Sequence, residues 1–199
     1  MQLNEQRVDI RKRMRNLRRN LCAEAQEHAA KSLCINISQV TNLTFGSRIG
    51  GYLSNDGEPS LDFIFKEMWS KKATPYLPII HPFSGQHLLF QEYEKNSPMK
   101  ANRYAILEPE LNCSHICPVA ELDVVLTPLV AFDSQGNRLG MGGGYYDRTF
   151  AQIPTQATKK PVLIGVAHQC QEVDSLPVAS WDVPLDYIVT PERIYCPNR

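Results

Sequence analysis

The 199-residue chain lacks the features that place a protein in a membrane or on nucleic acid. It has no apolar run approaching the ~20 residues that span a bilayer. Its charged N-terminus does not contain the apolar core of a signal peptide. Its 21 lysines and arginines are balanced by 21 aspartates and glutamates, whereas nucleic-acid-binding domains usually carry a net basic charge. These absences predict a cytoplasmic protein with neither a membrane nor a nucleic-acid partner.

Several common chemical motifs are also missing. The six cysteines have no framework spacing, and Cys113 and Cys117 form a close pair without the second pair that zinc would need. Free thiols in a reducing compartment are therefore expected. No serine or cysteine lies in a nucleophile motif, so covalent catalysis has no support. There is no P-loop string, and Tyr145 stands where a dinucleotide fingerprint would place its third glycine.

One glycine-rich segment carries most of the chemical information. Four glycines occur within the five positions from Gly140 to Gly144, between Arg138 on one side and two tyrosines followed by Asp147 on the other. Glycine lets backbone amides approach an anion closely, arginine adds bidentate contacts, and aspartate can bind a hard cation. The segment predicts a nucleotide-polyphosphate site with a metal ion. A plain connecting loop is the alternative.

Apolar periodicity predicts an α/β domain with a mainly parallel sheet. Helices are expected over about residues 4–20, 23–40 and 145–152, with one more beginning after a cap at Ser60. Strands are expected over 49–53, 74–78, 87–93, 122–128 (continued by 129–132), 161–167 and 186–190. Ligands gather at the carboxyl ends of parallel strands. The segments 54–58, 138–147 and 168–182 follow such strands, so they are expected to meet at one cleft.

The first helix is strongly basic. Between Arg7 and Arg19 there are seven basic residues and one acidic residue, Asp9. Four arginines recur at helical spacing and share a face: Arg7, Arg11, Arg15 and Arg18. Three interpretations stay open: a clamp for the nucleotide phosphates, a solvated helix face, and an RNA-binding arm, which the neutral total charge disfavours.

The glycine-rich segment, with the sequence around it, resembles the 5-formyltetrahydrofolate cyclo-ligase (methenyltetrahydrofolate synthetase) family. The resemblance rests on Gly140-Met141-Gly142-Gly143-Gly144-Tyr145-Tyr146-Asp147-Arg148, preceded by Thr127–Asp133 and Gly136–Leu139. Weaker matches extend it over nearly the full chain: Arg7 with Arg11, Tyr52-Leu53-Ser54 with Glu58, Ile106–Pro109 and Asp182–Asp186. It implies one three-layer α/β domain over residues 1–199, related in fold to sugar-phosphate isomerases and CoA transferases, with the basic helix packed on it.

The resemblance also implies roles for individual residues. ATP would contact Arg7, Arg11, Arg138, Leu139, Gly140, Met141, Gly142, Gly143, Gly144, Tyr145 and Tyr146. The folate would contact Leu53, Glu58, Met141, Gly142, Gly143, Gly144 and Tyr145, and Asp147 with Asp182 would bind Mg²⁺. The chain departs from the family pattern at Arg7, where lysine is frequent, and at Tyr104, where some members have tryptophan. Charge and a stacking ring are both kept.

The implied reaction is the ATP-dependent closure of 5-formyltetrahydrofolate to 5,10-methenyltetrahydrofolate, with release of ADP and phosphate. Phosphorylation of the formyl oxygen converts it into a leaving group that the N10 amine of the folate displaces. Such a transfer needs positioning and charge neutralisation rather than a protein nucleophile, so no catalytic residue is assigned. A monomer is expected. The alternatives are an isomerase-like or CoA transferase-like enzyme without ATP, and a non-catalytic RNA-binding module.

Overall fold

The computed structural model of the chain describes residues 3–153 and 159–197. It contains four α-helices close to the predicted positions: α1 (Leu3–Arg19), α2 (Ala23–Val40), α3 (Asp62–Ser70) and α4 (Tyr145–Phe150). The predicted cap at Ser60 is wrong by one residue, because Leu61 is the N-cap of α3 and provides no side-chain cap; the hydroxyl of Ser60 accepts a hydrogen bond from the Asp62 amide at 3.1 Å. Helix α4 is shorter than expected, at six residues.

Twelve short strands accompany the helices within the described residues. They are β1 (Arg48–Gly50), β2 (Thr74–Ile80), β3 (Leu88–Glu92), β4 (Met99–Ala101), β5 (Leu107–Pro109), β6 (Ile116–Cys117), β7 (Val124–Pro128), β8 (Ala131–Phe132), β9 (Arg138–Leu139), β10 (Val162–Val166), β11 (Tyr187–Val189) and β12 (Ile194–Tyr195). Eight of them form one sheet in the order β12-β11-β10-β7-β1-β2-β3-β6. The central five strands are parallel, and the strands at both edges pair antiparallel. The predicted mainly parallel sheet is confirmed.

The sheet separates two hydrophobic clusters. On one face, Val124 and Leu126 of β7 pack in a cluster with Leu33 of α2 and Ile64 of α3. On the other face, Val125 packs in a cluster with Leu129, Phe132, Leu163, Ile188 and Phe150 of α4. Successive residues of a strand point to opposite faces, which is why both clusters are built from the same apolar runs. The result is a three-layer α/β arrangement whose second outer layer is thin.

One strand prediction is wrong. Residues 129–132 do not continue β7, because the ladder of the main sheet ends at Pro128. The amide of Val130 donates instead to the Leu139 carbonyl, and β8 pairs antiparallel with β9. The predicted turn at 133–137 joins these two strands, held by the Asp133 side chain, which accepts from the amides of Gln135 and Asn137. Sequence patterns also missed the two- and three-residue strands β4, β5, β6, β9 and β12.

Helix α1 packs on this ribbon. Met14, with Ile10 beside it, lies in a cluster with Val130, Leu139 and Leu176. The helix thereby reaches the carboxyl ends of the central strands, where its basic side chains meet the loops. Within the described ranges, no helix combines the length and apolar character required to cross a membrane.

Candidate active site

A cavity of about 490 Å³ opens at the carboxyl ends of β1, β2 and β7. It is lined by residues from 52–58, 77–80, 102–108, 128–129 and 138–147, together with Leu88. The chain leaves β1 towards β2 on one side and later returns to β7 on the other side. The cavity therefore lies where the strand order reverses, which is the usual ligand position in open α/β sheets. The predicted convergence of segments 54–58 and 138–147 is observed.

The glycine-rich loop presents free amides beside this cavity. Gly142 has φ 103° and Gly144 has φ 66°, a left-handed backbone that other residues rarely adopt. Within the described chain, the amides of Gly142, Gly143 and Gly144 have no intramolecular hydrogen-bond acceptor. Alternating backbone conformations with free N–H groups form a concavity suited to an anion. The free amides favour the predicted phosphate site over a plain connector.

Arg138 forms the buried wall behind the loop. Its Nη2 donates to Asp147 Oδ1 at 2.6 Å, and its guanidinium lies 5.9 Å from the ring centre of Tyr146. Its Nε is buried without a hydrogen-bond partner among the described residues. Burial lowers the pKa of Arg138, and Asp147 opposes this effect. A buried cation with an unused donor stabilises a negatively charged ligand more than water does.

The first half of α1 is tied to the same loop. Arg11 Nε donates to the Gly140 carbonyl at 2.8 Å, and its guanidinium lies next to Gly142. Arg7 makes a bidentate ion pair with Asp182, at 2.6 and 2.9 Å. The hydrogen bonds to Asp182 raise the pKa of Arg7 against the effect of burial. Arg7 and Arg11 do not line the cavity themselves, but Arg11 contacts the rim of the loop that does.

The second half of α1 converges on one carboxylate. Arg15 Nε donates to Asp56 Oδ2 at 2.7 Å, Arg18 Nη2 donates to the same oxygen at 2.9 Å, and Arg19 pairs with Oδ1. Burial alone would raise the pKa of Asp56, but the hydrogen bonds from Arg15, Arg19 and Arg18 lower it to about 2. Because Arg7 and Arg18 are buried, the solvated-face interpretation of this helix is wrong.

Glu58 places a carboxyl group in the cavity wall next to these arginines. Its Oε2 accepts from the Asn55 amide at 3.1 Å, and its Oε1 lies 3.7 Å from Nη2 of Arg18. Burial raises the pKa of Glu58 to about 7, while Arg18 works in the opposite direction. A carboxyl group poised near neutrality in a cleft is typical of functional sites.

The sequence singled out Tyr104 as a stacking ring, but no role was assigned to the rest of the wall formed by β4, β5 and the loop between them. Tyr104 Oη and Tyr145 Oη lie 2.9 Å apart, and Arg103 Nη2 donates to Tyr145 Oη at 2.8 Å. Glu108, which is buried, accepts from the Ile80 amide at 3.1 Å and from the Asn102 side chain at 3.2 Å. The signal was present in the segment from Ile106 to Pro109, which contributes to the family resemblance but had no assigned role.

The remaining predicted site residues are distributed unevenly. Leu53, Glu58, Gly140, Met141, Gly143, Gly144, Tyr145, Tyr146 and Asp147 line the cavity together with Arg138. Leu139 is buried under α1, and Gly142 lies exposed at the rim. Asp182 stands behind the cavity, but the adjacent Val183 amide donates to Asp147 Oδ1 at 3.1 Å. The segment 168–182 thus reaches the site through Arg7 and Asp147 rather than by lining it.

Comparison with known proteins agrees with this geometry. Residues 3–191 match the model of the 5-formyltetrahydrofolate cyclo-ligase family. The chain belongs to that family. It is 42% identical over 181 residues to a 5-formyltetrahydrofolate cyclo-ligase from Haemophilus influenzae, covering 91% of this chain and 95% of the relative. The Escherichia coli K12 cyclo-ligase is 38% identical over 182 residues, covering 92% and 98% of the two chains.

Solved structures of cyclo-ligases share the fold. The NMR structure of Aquifex aeolicus 5,10-methenyltetrahydrofolate synthetase superposes with a TM-score of 0.80 at 25% identity, covering 96% of this chain and 92% of that one. A synthetase structure from Mycoplasma pneumoniae matches with a TM-score of 0.71 at 24% identity, over 93% and 98% of the chains. These similarities confirm the predicted fold class.

The two carboxylates assigned to Mg²⁺ differ in availability. Asp147 uses Oδ1 for Arg138 and Val183, while Oδ2 has no hydrogen-bond partner in the described chain. Both oxygens of Asp182 accept from Arg7, and Oδ2 also accepts from the Ala179 amide. Mg²⁺ commonly takes one or two carboxylates and completes its octahedron with phosphate oxygens and water. The donor set therefore fits Mg²⁺ through Asp147, whereas Asp182 would have to exchange Arg7 for the metal.

Proposed function

We propose that this cyclo-ligase closes 5-formyltetrahydrofolate to 5,10-methenyltetrahydrofolate, with ATP converted to ADP and phosphate. One observation carries the proposal beyond family membership. Three glycine amides without acceptors stand with the buried guanidinium of Arg138 at the edge of a 490 Å³ cavity. Phosphoryl transfer requires this combination of free donors and buried positive charge next to the acceptor.

The site divides into a phosphate side and a folate side. The phosphate side consists of the amides of Gly142, Gly143 and Gly144, supported by Arg138 and Arg11. The folate side is the apolar part of the cavity around Leu53, Leu77 and Pro128, with the paired Tyr104 and Tyr145 also in its wall. A flat pterin ring suits a space walled by aromatic and aliphatic side chains. The formyl oxygen would then meet the γ-phosphate where the two sides adjoin.

Charge neutralisation on the phosphate side follows from the residues present. The Nε of Arg138 is a hydrogen-bond donor without a partner among the described residues, and Arg11 is hydrogen-bonded to the Gly140 carbonyl of the glycine-rich loop. A bound Mg²⁺ held by Asp147 would neutralise charge on the phosphate oxygens. The cation would be held by the free Oδ2 of Asp147, while Oδ1 keeps its contact with Arg138. The unused Nε of Arg138 would then remain for the nucleotide.

The two alternative functions that the sequence left open have no comparable support. Family membership disfavours an isomerase or transferase without ATP. Three arginines that an RNA-binding arm would need exposed instead make ion pairs within the chain: Arg7, Arg15 and Arg18. Mg²⁺ dependence, a monomeric state and a cytoplasmic location stay predictions.

The test is a spectrophotometric assay with purified protein, (6S)-5-formyltetrahydrofolate and Mg-ATP. The near-ultraviolet absorbance of the conjugated methenyl product is expected to rise only when ATP is present. Removal of divalent cations with EDTA is expected to stop the rise, and restored Mg²⁺ to recover it. If ATP omission leaves the rate unchanged, the proposed reaction is wrong. If EDTA has no effect, the metal assignment is wrong while the reaction stands.

A further inference from the structure

Ring closure releases a proton, whereas the glycine amides, Arg138 and Arg11 of the phosphate side are all hydrogen-bond donors. When the formyl oxygen attacks the γ-phosphorus of ATP, ADP leaves and an iminium phosphate forms on the folate. The N10 amine then attacks the formyl carbon, so a C–N bond forms and the nitrogen must lose its proton. The electron pair of the N–H bond stays on nitrogen, and phosphate departs with the electrons of the C–O bond. A general base near N10 accelerates such a step.

We propose that Glu58 accepts the N10 proton, and that Arg18 is a positioning residue whose fixed positive charge attracts this carboxylate across 3.7 Å. The proposal rests on the proposed function, because it needs the folate in the cavity. Glu58 stands in the cavity wall with its side chain only 11% exposed, and its two oxygens have different neighbours. Oε2 is fixed by the Asn55 amide, so Oε1 is the oxygen available to the substrate.

Arg18 is placed to control this carboxylate without touching the substrate. Its side chain is fully buried behind the cavity, and three of its nitrogens are used. Nε donates to the Asp56 carbonyl at 2.8 Å, Nη1 to the Leu129 carbonyl at 3.0 Å, and Nη2 to Asp56 Oδ2. Arg18 therefore joins α1, the loop after β1 and the end of β7. The same Nη2 of Arg18 also lies 3.7 Å from Glu58 Oε1, so the guanidinium charge acts on both carboxylates.

The surroundings of Glu58 keep it close to a proton-transfer equilibrium. Burial is the largest influence and raises its pKa to about 7; Arg18 lowers it and Asp56 raises it. Tyr52 and Tyr146 face it from the end of β1 and from α4, and burial keeps both phenols protonated by raising their pKa values. On the far side, His168 contacts the Gly57 carbonyl, and burial lowers its pKa to about 4. Arg15 and Arg19 act on Glu58 only through Asp56, and Arg138 through Tyr146.

Because Arg18 lowers the pKa of Glu58 and Asp56 raises it, replacing each residue should shift the pH dependence of ring closure in opposite directions. Single-turnover rates of methenyl formation would be measured from pH 5.5 to 9 with enzyme in excess. The wild-type rate is expected to fall on the acidic side as Glu58 becomes protonated. Arg18→Gln removes a positive neighbour, so the pH at which the rate falls should rise by about one unit. Below the wild-type midpoint the variant should then be about tenfold slower than wild type. Asp56→Asn removes a negative neighbour and should move it to lower pH, while asparagine tolerates the positive φ of 54°.

Two further variants separate a chemical role from a structural one. Glu58→Gln is expected to slow ring closure by about 100-fold or more while the equilibrium affinity for 5-formyltetrahydrofolate changes less than about threefold. Arg19→Gln, which touches Asp56 but not Glu58, serves as the matched control and should leave the pH profile in place. Thermal melts report on folding of each variant. If Arg18→Gln does not fold, the proposal is tested by the pH profile of Asp56→Asn and the ring-closure rate of Glu58→Gln.

The outcomes are distinguishable. A Glu58→Gln variant that closes the ring at the wild-type rate would overturn the proton-acceptor role. If Arg18→Gln and Asp56→Asn lower the melting temperature without moving the pH profile, Arg18 is structural only. Absence of ATP-dependent product from the wild-type protein would instead overturn the proposed function itself, before any variant is compared.

Discussion

The two halves of α1 use the same residue type for different purposes. In the first half, Arg7 meets one carboxylate, Asp182, and Arg11 meets a carbonyl of the glycine-rich loop. In the second half, Arg15, Arg18 and Arg19 share the single carboxylate of Asp56. The first arrangement consists of separate pairs that a polyanion can exchange. The second leaves excess positive charge fixed beside Glu58.

The role of an arginine on α1 therefore depends on how many arginines share its acceptor, and not on the residue type alone. Burial lowers the pKa of Arg11, with a further contribution from the neighbouring Arg7, so this half gains stability when an anion arrives. In the other half, three arginines share the single carboxylate of Asp56, and Arg18 also lies 3.7 Å from Glu58. The surplus positive charge there acts on the carboxylate in the cavity wall.

The glycine-rich loop offers the largest test of the nucleotide half. Gly142→Val forces a β-branched side chain onto a backbone with φ 103°. Loss of two charge-assisted hydrogen bonds from displaced amides, at about 1.5 kcal/mol each, predicts an ATP affinity about 100-fold lower by calorimetry. The matched control is Gly46→Val, which strains a similar backbone (φ 79°) at a position where an added Cβ has nothing within 4 Å. Normal ATP binding by Gly142→Val would remove the loop from the phosphate site.

Arg138 and Asp147 offer the next test, this time of the ion pair beside the loop. Arg138→Met leaves a largely buried carboxylate without its cation, so the free energy of unfolding should fall by about 3 kcal/mol in chemical denaturation. Adding Asp147→Asn should recover most of that stability, because the unpaired charge is gone. ATP binding is expected to stay lost in the double variant. Recovery of ATP binding along with stability would show that the pair is structural only.

The sequence predicted elements with long patterns better than those with short ones. Helices α1 and α2 were placed within one or two residues, because 17 and 18 residues carry several turns of periodicity. Strands β9 and β12 contain two residues each, which is too short for any pattern. The β8–β9 ribbon was missed for that reason, and because the apolar run passes through Pro128 without a visible break.

Within the candidate site, sequence reasoning found residue types but not partners. Arg7, Arg11, Arg15 and Arg18 share a helix face by spacing alone, and the structure shows that this face is turned inward. The spacing cannot indicate that Arg18 is fully buried, because its carboxylate partner lies 38 residues away in a loop. Glu108 was missed in the same way, since its contacts come from β2 and from the loop before β5. Long-range pairing is the information that a local pattern lacks.

The smallest expected effect tests the half of α1 that surrounds Glu58. Burial raises the pKa of Glu58 from 4.5 to about 7 in the folded state. A carboxyl group with a raised pKa contributes its full stability below its unfolded pKa and loses it as the pH rises through the folded value. The contribution of Glu58 to stability should therefore decline between about pH 4.5 and 7, while buried His168, with its pKa lowered to about 4, contributes stability that rises over much of the same range. The quantity to measure is thus the difference between Glu58→Gln, which lacks the Glu58 contribution but keeps that of His168, and wild type. Solvent in the open cavity screens the Glu58 charge and reduces the effect of the pKa shift. Glu58→Gln should therefore be more stable than wild type by about 2 kcal/mol at pH 8 and equally stable at pH 4.

Denaturant unfolding at the two pH values measures this difference, and Glu108→Gln is the matched control. Glu108 lines the same cavity, but its carboxylate accepts hydrogen bonds from Ile80 and Asn102, so its replacement should bring no gain at pH 8. A Glu58→Gln variant no more stable than wild type at pH 8 would mean that Arg18 fully compensates the buried charge. The second half of α1 would then be a neutral anchor, and its contrast with the first half would disappear. A gain confined to Glu58→Gln would instead show a carboxylate kept in place at a cost in stability, which is expected of a group retained for chemistry.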